Sequence, residues 1–403
     1  MGFQLDQTQL SYQDAVRKFA AKEVKPLALE YDQKSDPRDC LPTDLVDKGL
    51  EQGYHLMVVP EEYGGLGLGA LTTVVILEEL AAADAGFATT WHVNNIALTT
   101  LLNMGSDEEV GLFVEDIVRG KGGLAGLSTT EPDGGVTTML LVEPADFEFR
   151  TRAELVGEEW VINGAKSFCS NPGLDQTKWA MVFCRVDMEK KGWASTRPII
   201  VPMDAPGLTL GGEEDKMGHR LSSTQSLILD NVRVPKVNAI GAGGRAISGG
   251  VRRTTYEHDT AIAAISIGCA RAAFEEALEW AMQRETGGKP IIKNQIIQAK
   301  IADMYLGLEA ARAFAYRTAD YSDSHRSMDV KQSRAVKVFA SETANRVVNE
   351  AVQVLGGLGY CKGSLAEKCY RDLRVTTIYE GTNEAQRISI SQLLEAEMAA
   401  RLG

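Results

Sequence analysis

The run EWVINGAKSF, residues 159–168, carries the strongest strand signal in a chain otherwise rich in helical pattern. Aromatic and β-branched residues fill it, and Asn163-Gly164 divides it with a pair that favours a two-residue hairpin turn. Similar short runs surround it: FEFRTRAEL (147–155) before, and KWAMVFCRV (178–186), RPIIVPM (197–203) and SLILDNVRV (226–234) after, separated by Gly, Pro and Asn. Short strands at such spacing predict a β domain over residues 121–241. Further out on both sides the apolar residues recur at intervals of three and four, the signature of helices. Residues 1–120 read as helices over Leu10–Glu23, Pro42–Gly53, Ala70–Ala83, Asn94–Asn103 and Glu108–Arg119. Loops divide them at SDPRD (35–39) and PEEYGGLGLG (60–69). Residues 242–403 read as long helices over Thr260–Arg284, Asn294–Ala319, Asp329–Leu355 and Asn383–Leu402. The expected fold is therefore α+β and multidomain: an N-terminal helical domain, a middle β-barrel-like domain and a C-terminal four-helix bundle.

Composition narrows the function. With 403 residues, 44% of them hydrophobic, the chain is long enough for several cores, since a single core stops growing at about 250–300 residues. A net charge of −13 excludes a general nucleic-acid binder, which needs a basic surface to displace counterions. The six cysteines are scattered without a CxxC pair, as expected in a reducing, cytoplasmic setting. The first residues, MGFQLDQTQLSYQDAVRKF, are amphipathic and contain acids, unlike a signal or transit peptide, and no apolar run is long enough to span a membrane. The five histidines lack metal spacing, and no GxSxG elbow, Walker loop or strand-following GxGxxG is present.

Three segments remain as candidate chemistry. RDLRVTTIYEGT (371–382) sets Glu380 in a glycine-containing loop just before a helix, where a carboxylate fits either a catalytic role or a simple interaction with the helix dipole. QVLGGLGY (353–360) ends a long helix with three glycines in four residues, suited to a helix cap or to a phosphate resting on the main chain. TTEPDGGVTT (129–138) offers hydroxyls and amides to a polar ring, or makes a plain Pro-Asp-Gly turn.

Taken together and in order, the segments resemble the acyl-CoA dehydrogenases over nearly the whole chain. The matching stretches are Pro60 to Gly67, Thr130-Glu-Pro132, Asn163-Gly-Ala-Lys166, Lys216 to Ser222, Asn231 to Pro235, Gln353 to Gly359 and Ile378 to Thr382. The resemblance implies an FAD-dependent α,β-dehydrogenation of an acyl-CoA thioester to the trans-2-enoyl-CoA. Glu380 would be the base, and electron-transferring flavoprotein or a similar acceptor the partner. It further implies Thr130, Phe168 and Ser170 against the flavin ring. Arg284, Gln353, Gly357 and Thr382 would lie against the pyrophosphate and adenosine, partly across a subunit interface of a homotetramer. Other members of the fold, such as an acyl-CoA oxidase, and a non-catalytic scaffold are the alternative readings.

The chain departs from the family pattern at several points. Asp133-Gly-Gly-Val-Thr137 replaces the usual thioester turn and an insertion follows it, so Thr137 marks an altered substrate mouth. Ala88 stands where glutaryl-handling members carry arginine, which disfavours a dicarboxylic acyl group, while Trp91 and His92 are candidates to line the acyl pocket. By the same resemblance Asp259 falls where relatives carry an arginine behind the glutamate and His258 where a few relatives supply the base, and a shifted register would instead put Arg252 or Arg253 at the arginine's place. Asp259 also suits the N-cap of a helix starting at Thr260. The two residues are thus either a polar pair near Glu380 or a helix terminus.

Overall fold

The computed structural model describes residues 4–120, 122–134, 147–241, 247–325 and 329–402, with only the backbone of 247–257 and 325. Thr137 lies outside the described residues.

Helices α1 (Gln7–Phe19), α2 (Lys25–Asp32), α3 (Thr43–Glu51), α4 (Ala70–Ala83), α5 (Ala85–Met104) and α6 (Asp107–Val118) form the first block. Capping boxes at Asp6/Gln9 and Ser106/Glu109 start α1 and α6 by satisfying orphan amides. Helix α5 begins nine residues before the expected Asn94, at Ala85. Nearly every residue of its first turns is buried, and a helix covered on all sides shows no apolar stripe to read.

The middle block is a sheet of β1 (Leu124–Ser128), β2 (Arg152–Val156), β3 (Glu159–Ser170), β4 (Thr177–Arg185), β5 (Thr196–Pro202), β6 (Leu208–Leu210) and β7 (Thr224–Pro235). Its order is β1-β4-β2-β3-β7-β6, with β5 paired to β4 and a further contact between β1 and β3. The Asn163-Gly164 pair makes no hairpin. It lies within β3, where the register against β7 shifts between Ile162 and Gly164. Asn163 Oδ1 there accepts the Asn231 amide at 2.8 Å. The turn comes earlier, at Gly157-Glu158 between the paired Val156 and Glu159, with Gly157 at φ +65°. The conformational freedom that suits Asn-Gly to a turn suits it equally to a bulge.

Beneath this sheet, a buried ion pair fixes the turn after β1. Lys166 on β3 is fully buried and reaches the Thr129 carbonyl (3.1 Å) and Glu131 Oε1 (2.9 Å). Glu131 also accepts the amides of Arg150 (2.7 Å) and Thr151 (2.8 Å).

The last block comprises α7 (Ile247–Gln283), a small hairpin β8 (Glu285–Thr286) and β9 (Lys289–Pro290), α8 (Gln295–His325), α9 (Val330–Leu355), the short α10 (Gly357–Tyr360), α11 (Leu365–Arg374) and α12 (Asn383–Leu402). Helix α7 starts thirteen residues before the expected Thr260, because the Gly249-Gly250 pair reads as a loop. Asp259 is consequently no N-cap; it sits about three turns inside α7.

One apolar core runs from α1, α4 and α5 into α7, α8 and α9, and a second joins α5 and α6 to β1 and β4 through Leu98, Leu101, Phe113, Trp179 and Met181. Alanines 263, 264, 270, 273, 277 and 281 let α7 lie deep in the first core. At Gly268 a Cβ would meet the Glu78 carbonyl oxygen of α4 at 2.1 Å, so the two helices touch backbone to backbone.

Gly268→Val is expected to lower stability by about 2 kcal/mol, since a backbone oxygen cannot move aside for the side chain; a thermal melt beside the parent measures this. Lys166→Met leaves Glu131 buried and unpaired and should cost about 3–5 kcal/mol at neutral pH. The unpaired Glu131 then has a raised folded pKa. The deficit should therefore shrink as pH falls towards the ordinary carboxylate value of about 4.3 and grow as pH rises through the raised one.

Candidate active site

The loop between α11 and α12 is where the sequence places its carboxylate, and its backbone is unusual. After a 3-10 turn at Val375–Thr377, Glu380 takes φ +51° and Gly381 φ +83°. A non-glycine residue in the left-handed region is strained and persists only where its surroundings hold it. Three buried side chains do so. Gln386 Nε2 on α12 donates to the Glu380 carbonyl (2.9 Å) and to Asp259 Oδ1 (2.9 Å). From α9, Lys337 Nζ donates to the Gly381 carbonyl and to Asn383 Oδ1, both at 2.8 Å, and Ser333 Oγ donates to Asp259 Oδ2 at 3.1 Å. Thr382 caps α12, its Oγ1 accepting the Ala385 amide at 3.2 Å.

The surroundings converge on one turn of α5, Thr89 to His92. His219 Nδ1 lies 3.2 Å from Thr89 Oγ1, and the His219 ring meets Tyr379 edge-on at 5.7 Å. Asn171 Nδ2, just past β3, donates to the Thr90 carbonyl at 3.0 Å. His92 shares the helix face of Thr89, three residues on, and meets the His258 ring at 5.4 Å. The end of β3, the loop carrying Glu380 and the middle of α7 are thus brought to the same place. Trp91, on the neighbouring face, packs between Tyr54 and Phe87 with both centroids at 5.6 Å and is fully buried. It fills the N-terminal core and has no face left for a ligand.

The electrostatics follow from burial. Burial pushes the Glu380 carboxyl up to about 7, the Asp259 carboxylate adds to the rise and Lys337 opposes it. Asp259 is itself raised to about 6 by burial, against the pull of Arg334 and Lys337. Lys337 is lowered to about 8 by burial, with Asp259 and Glu380 working the other way. Burial lowers His92 to about 3 and holds His258 well below its ordinary value, so both rings are neutral near pH 7. A carboxyl that titrates near neutrality in a water-poor pocket is suited to moving protons.

On the sheet side, Phe168 sits at a bulge in β3 with φ +56° and is 67% exposed. Beside it, Thr130 accepts the Ser167 amide through its carbonyl (2.9 Å), and Ser170 Oγ lies 3.5 Å from Thr224 Oγ1. An uncovered aromatic ring between hydroxyl-bearing residues fits a flat ring system that both stacks and hydrogen-bonds, as an isoalloxazine does. Arg284, Gln353 and Gly357 are elsewhere. At about 1.5 Å per residue, Arg284 lies roughly 37 Å along α7 from Asp259, and Gln353 roughly 24 Å along α9 from Lys337. All three are exposed to solvent, and one chain does not bring them round Glu380. Among the described residues there is no cluster able to hold a metal and no helix long and apolar enough to cross a membrane.

Sequence reasoning missed Lys337, Gln386 and Ser333, and it quoted Glu131 and Lys166 only within matching stretches, without their pairing. The available signal was a charged residue in register with an apolar stripe. Lys337 follows Ser333 and precedes Ala340 and Ala344 on the buried face of α9.

Three domain models of one family match in order: the acyl-CoA dehydrogenase N-terminal domain over residues 6–121, the middle domain over 126–232 and the C-terminal domain over 253–394. The human mitochondrial short-chain specific acyl-CoA dehydrogenase is 36% identical over 392 residues, covering 96% of this chain and 90% of that protein. Among solved structures, butyryl-CoA dehydrogenase from Megasphaera elsdenii superposes with a TM-score of 0.89 at 31% identity, over 98% of this chain and 100% of that one. A glutaryl-CoA dehydrogenase from Mycobacterium smegmatis in complex with FADH2 gives 0.84 at 26% identity, over 97% and 95%. Helical, sheet and helical domains in that order, carried by a sequence this close along nearly its full length, make the chain a member of the acyl-CoA dehydrogenase family, FAD-dependent oxidoreductases of acyl-CoA thioesters.

Proposed function

We propose that Glu380 is the base of this dehydrogenation, taking the α-proton of the acyl thioester as the β-hydrogen leaves with its electron pair and the trans-2-enoyl double bond forms. The observation that carries the reading is a carboxylate on a strained backbone, raised to about 7 by burial and by Asp259, in the loop whose Tyr379 meets His219 beside Thr89 of α5. An α-proton of a thioester is far less acidic than a carboxylic acid. A base of raised pKa narrows that gap, and donors aimed at the thioester oxygen narrow it further. The Glu380 backbone amide is the donor this chain offers for that role. When bound, FAD supplies the hydride-accepting chemistry. Thr130, Phe168 and Ser170 would hold its ring.

In this reading the solvent-facing Arg284, Gln353 and Gly357 serve the pyrophosphate and adenosine of a neighbouring subunit's cofactor. This requires at least a dimer and fits a homotetramer assembled through the C-terminal helices. Exposed Leu358, Tyr360, Ile388, Leu394, Met398 and Leu402 give those helices apolar surface to bury. The long helices α7, α8, α9 and α12 make up the proposed bundle, and the closing β1–β3 contact supports a barrel-like middle domain. Electron-transferring flavoprotein is the proposed acceptor and the cytoplasm the proposed setting. Short-chain acyl groups are the first substrates to examine, given the relatives.

Purified protein should be yellow with about one FAD per chain and should elute as an oligomer on size exclusion with light scattering; a colourless monomer would count against the shared site. Glu380→Gln should keep its flavin yet slow reduction by butyryl-CoA at least about 100-fold. In the parent, that rate should fall as pH drops through about 7, because the raised Glu380 becomes protonated and loses its base. Near-parental reduction in Glu380→Gln would place the base elsewhere.

A further inference from the structure

We propose that Asp259 and Lys337 are a pair of opposed positioning residues for Glu380: Asp259, acting through Gln386, anchors the strained backbone of the loop and sets a like charge beside its carboxylate, while Lys337 anchors the next carbonyl and sets an opposite charge there. The proposal rests on the reading of Glu380 as the base.

Lys337 contacts the loop directly, and Asp259 reaches it through Gln386. Gln386 has two amide hydrogens; one goes to the Glu380 carbonyl and the other to Asp259 Oδ1, both at 2.9 Å. Asp259 therefore fixes which way the Gln386 amide points, and that amide fixes a residue at φ +51°. Asp259 is in turn fixed by Ser333 from α9. Lys337 holds Gly381 and the first residue of α12. Two consecutive carbonyls of one strained loop are thus held from α12 and α9, the first by a Gln386 amide that Asp259 of α7 orients and the second by the Lys337 ammonium.

A neutral strut would serve the backbone as well. An asparagine at 259 would keep an oxygen for Gln386, and its amide would suit Ser333 with the hydroxyl reversed. The carboxylate is therefore in excess of what the hydrogen bonds need, and its charge acts on Glu380. The other ionisable groups facing this pocket do not cancel it. His258 on α7 and His92 on α5 are held neutral by burial, and Tyr379 in the loop is pushed above its ordinary value. Arg334 and Lys337 on α9 act on Asp259, and Glu384 at the start of α12 is exposed and acts on Lys337. What remains beside Glu380 is one anion that raises its affinity for a proton and one cation that lowers it.

The test uses FAD-loaded enzyme and two readouts. In the first, the infrared protonated-carboxyl band of Glu380, assigned as the band absent in Glu380→Gln, is titrated without substrate. In the second, the acid limb of flavin reduction is followed with butyryl-CoA. Asp259→Asn should move the band midpoint and the limb down by about one pH unit or more, and Lys337→Met should move both up. A merely structural pair would change melting temperature and leave both midpoints in place. Unmoved midpoints in Asp259→Asn that retains flavin overturn the proposal. If that variant does not fold, Lys337→Met decides alone, and a midpoint that stays or falls overturns it. Should Glu380→Gln still reduce flavin at the parental rate, the base reading fails, whereas a band that ignores Asp259 and Lys337 defeats only the present inference.

Discussion

Lys368 is a fully buried ammonium lying between two buried carboxylates, Asp84 at 2.5 Å and Asp372 at 2.6 Å, and the placement of the site depends on it. Asp84 is the N-cap of α5, accepting the Phe87 amide at 2.7 Å. Asp372, one turn along α11 from Lys368, accepts the His219 amide of the middle domain at 2.6 Å. A single cation therefore joins the start of α5, the loop before β7 and the helix that leads into Glu380, which belong to three different domains. Burial works against the charge, yet the two carboxylates hold Lys368 well above its ordinary value. Such an arrangement tolerates no missing partner, because removing the cation would leave two anions in a dry junction. Arg371 on the same helix repeats the theme nearer the surface, reaching Asp32 of α2 at 2.6 Å and the Met217 carbonyl at 3.0 Å.

With α11 fixed at that junction, the loop after it has little freedom, which is how Glu380 can keep a backbone conformation that an isolated peptide would avoid. The strain is met locally by hydrogen bonds and remotely by the packing of α5 on α7. Asn171 and His219 bring the sheet to the same turn of α5 from the other side. The loop that carries Glu380 is thus held by contacts to three domains at once, and in its proposed role as base that would supply the alignment a proton transfer needs before any substrate arrives.

Much of this was legible in the sequence, and the failures have physical causes. The alternation of helical and strand texture follows from local residue pattern and requires no knowledge of contacts. Glu380 was legible because a glycine-flanked acid before a helix stands out. Helix α5 was cut short because a helix buried on all sides loses its period. The start of α7 was missed because glycines read as a break, and with it went the true setting of Asp259, which looked like a cap and is an interior charge. Lys368 and Asp372, spaced four apart, look in sequence like any solvated pair on a helix surface. Only the contacts of α11 with other domains turn them into a buried node. Lys337 shows in the sequence only as a charge in register with an apolar stripe, and Gln386 not at all, because Gly381 for the one and Asp259 for the other are distant in the chain.

The charges near Glu380 show why the interior setting of Asp259 matters. Two carboxylates and one ammonium share a pocket whose nearest histidines are neutral. Asp259 rises to about 6, Glu380 to about 7 and Lys337 falls to about 8. Near neutrality the first is mostly ionised, the second is divided between its two forms, and the third keeps its charge. An acyl chain that excludes water from this pocket would penalise the ionised form of Glu380 further, since desolvation raises a carboxyl. It would also strengthen the repulsion from Asp259 and the attraction to Lys337 alike, because charges interact more strongly as the dielectric falls. Because these two changes oppose one another, the pair adds little displacement of its own to the proton affinity of Glu380 in its proposed role, whereas a carboxylate beside Asp259 alone would be driven further up.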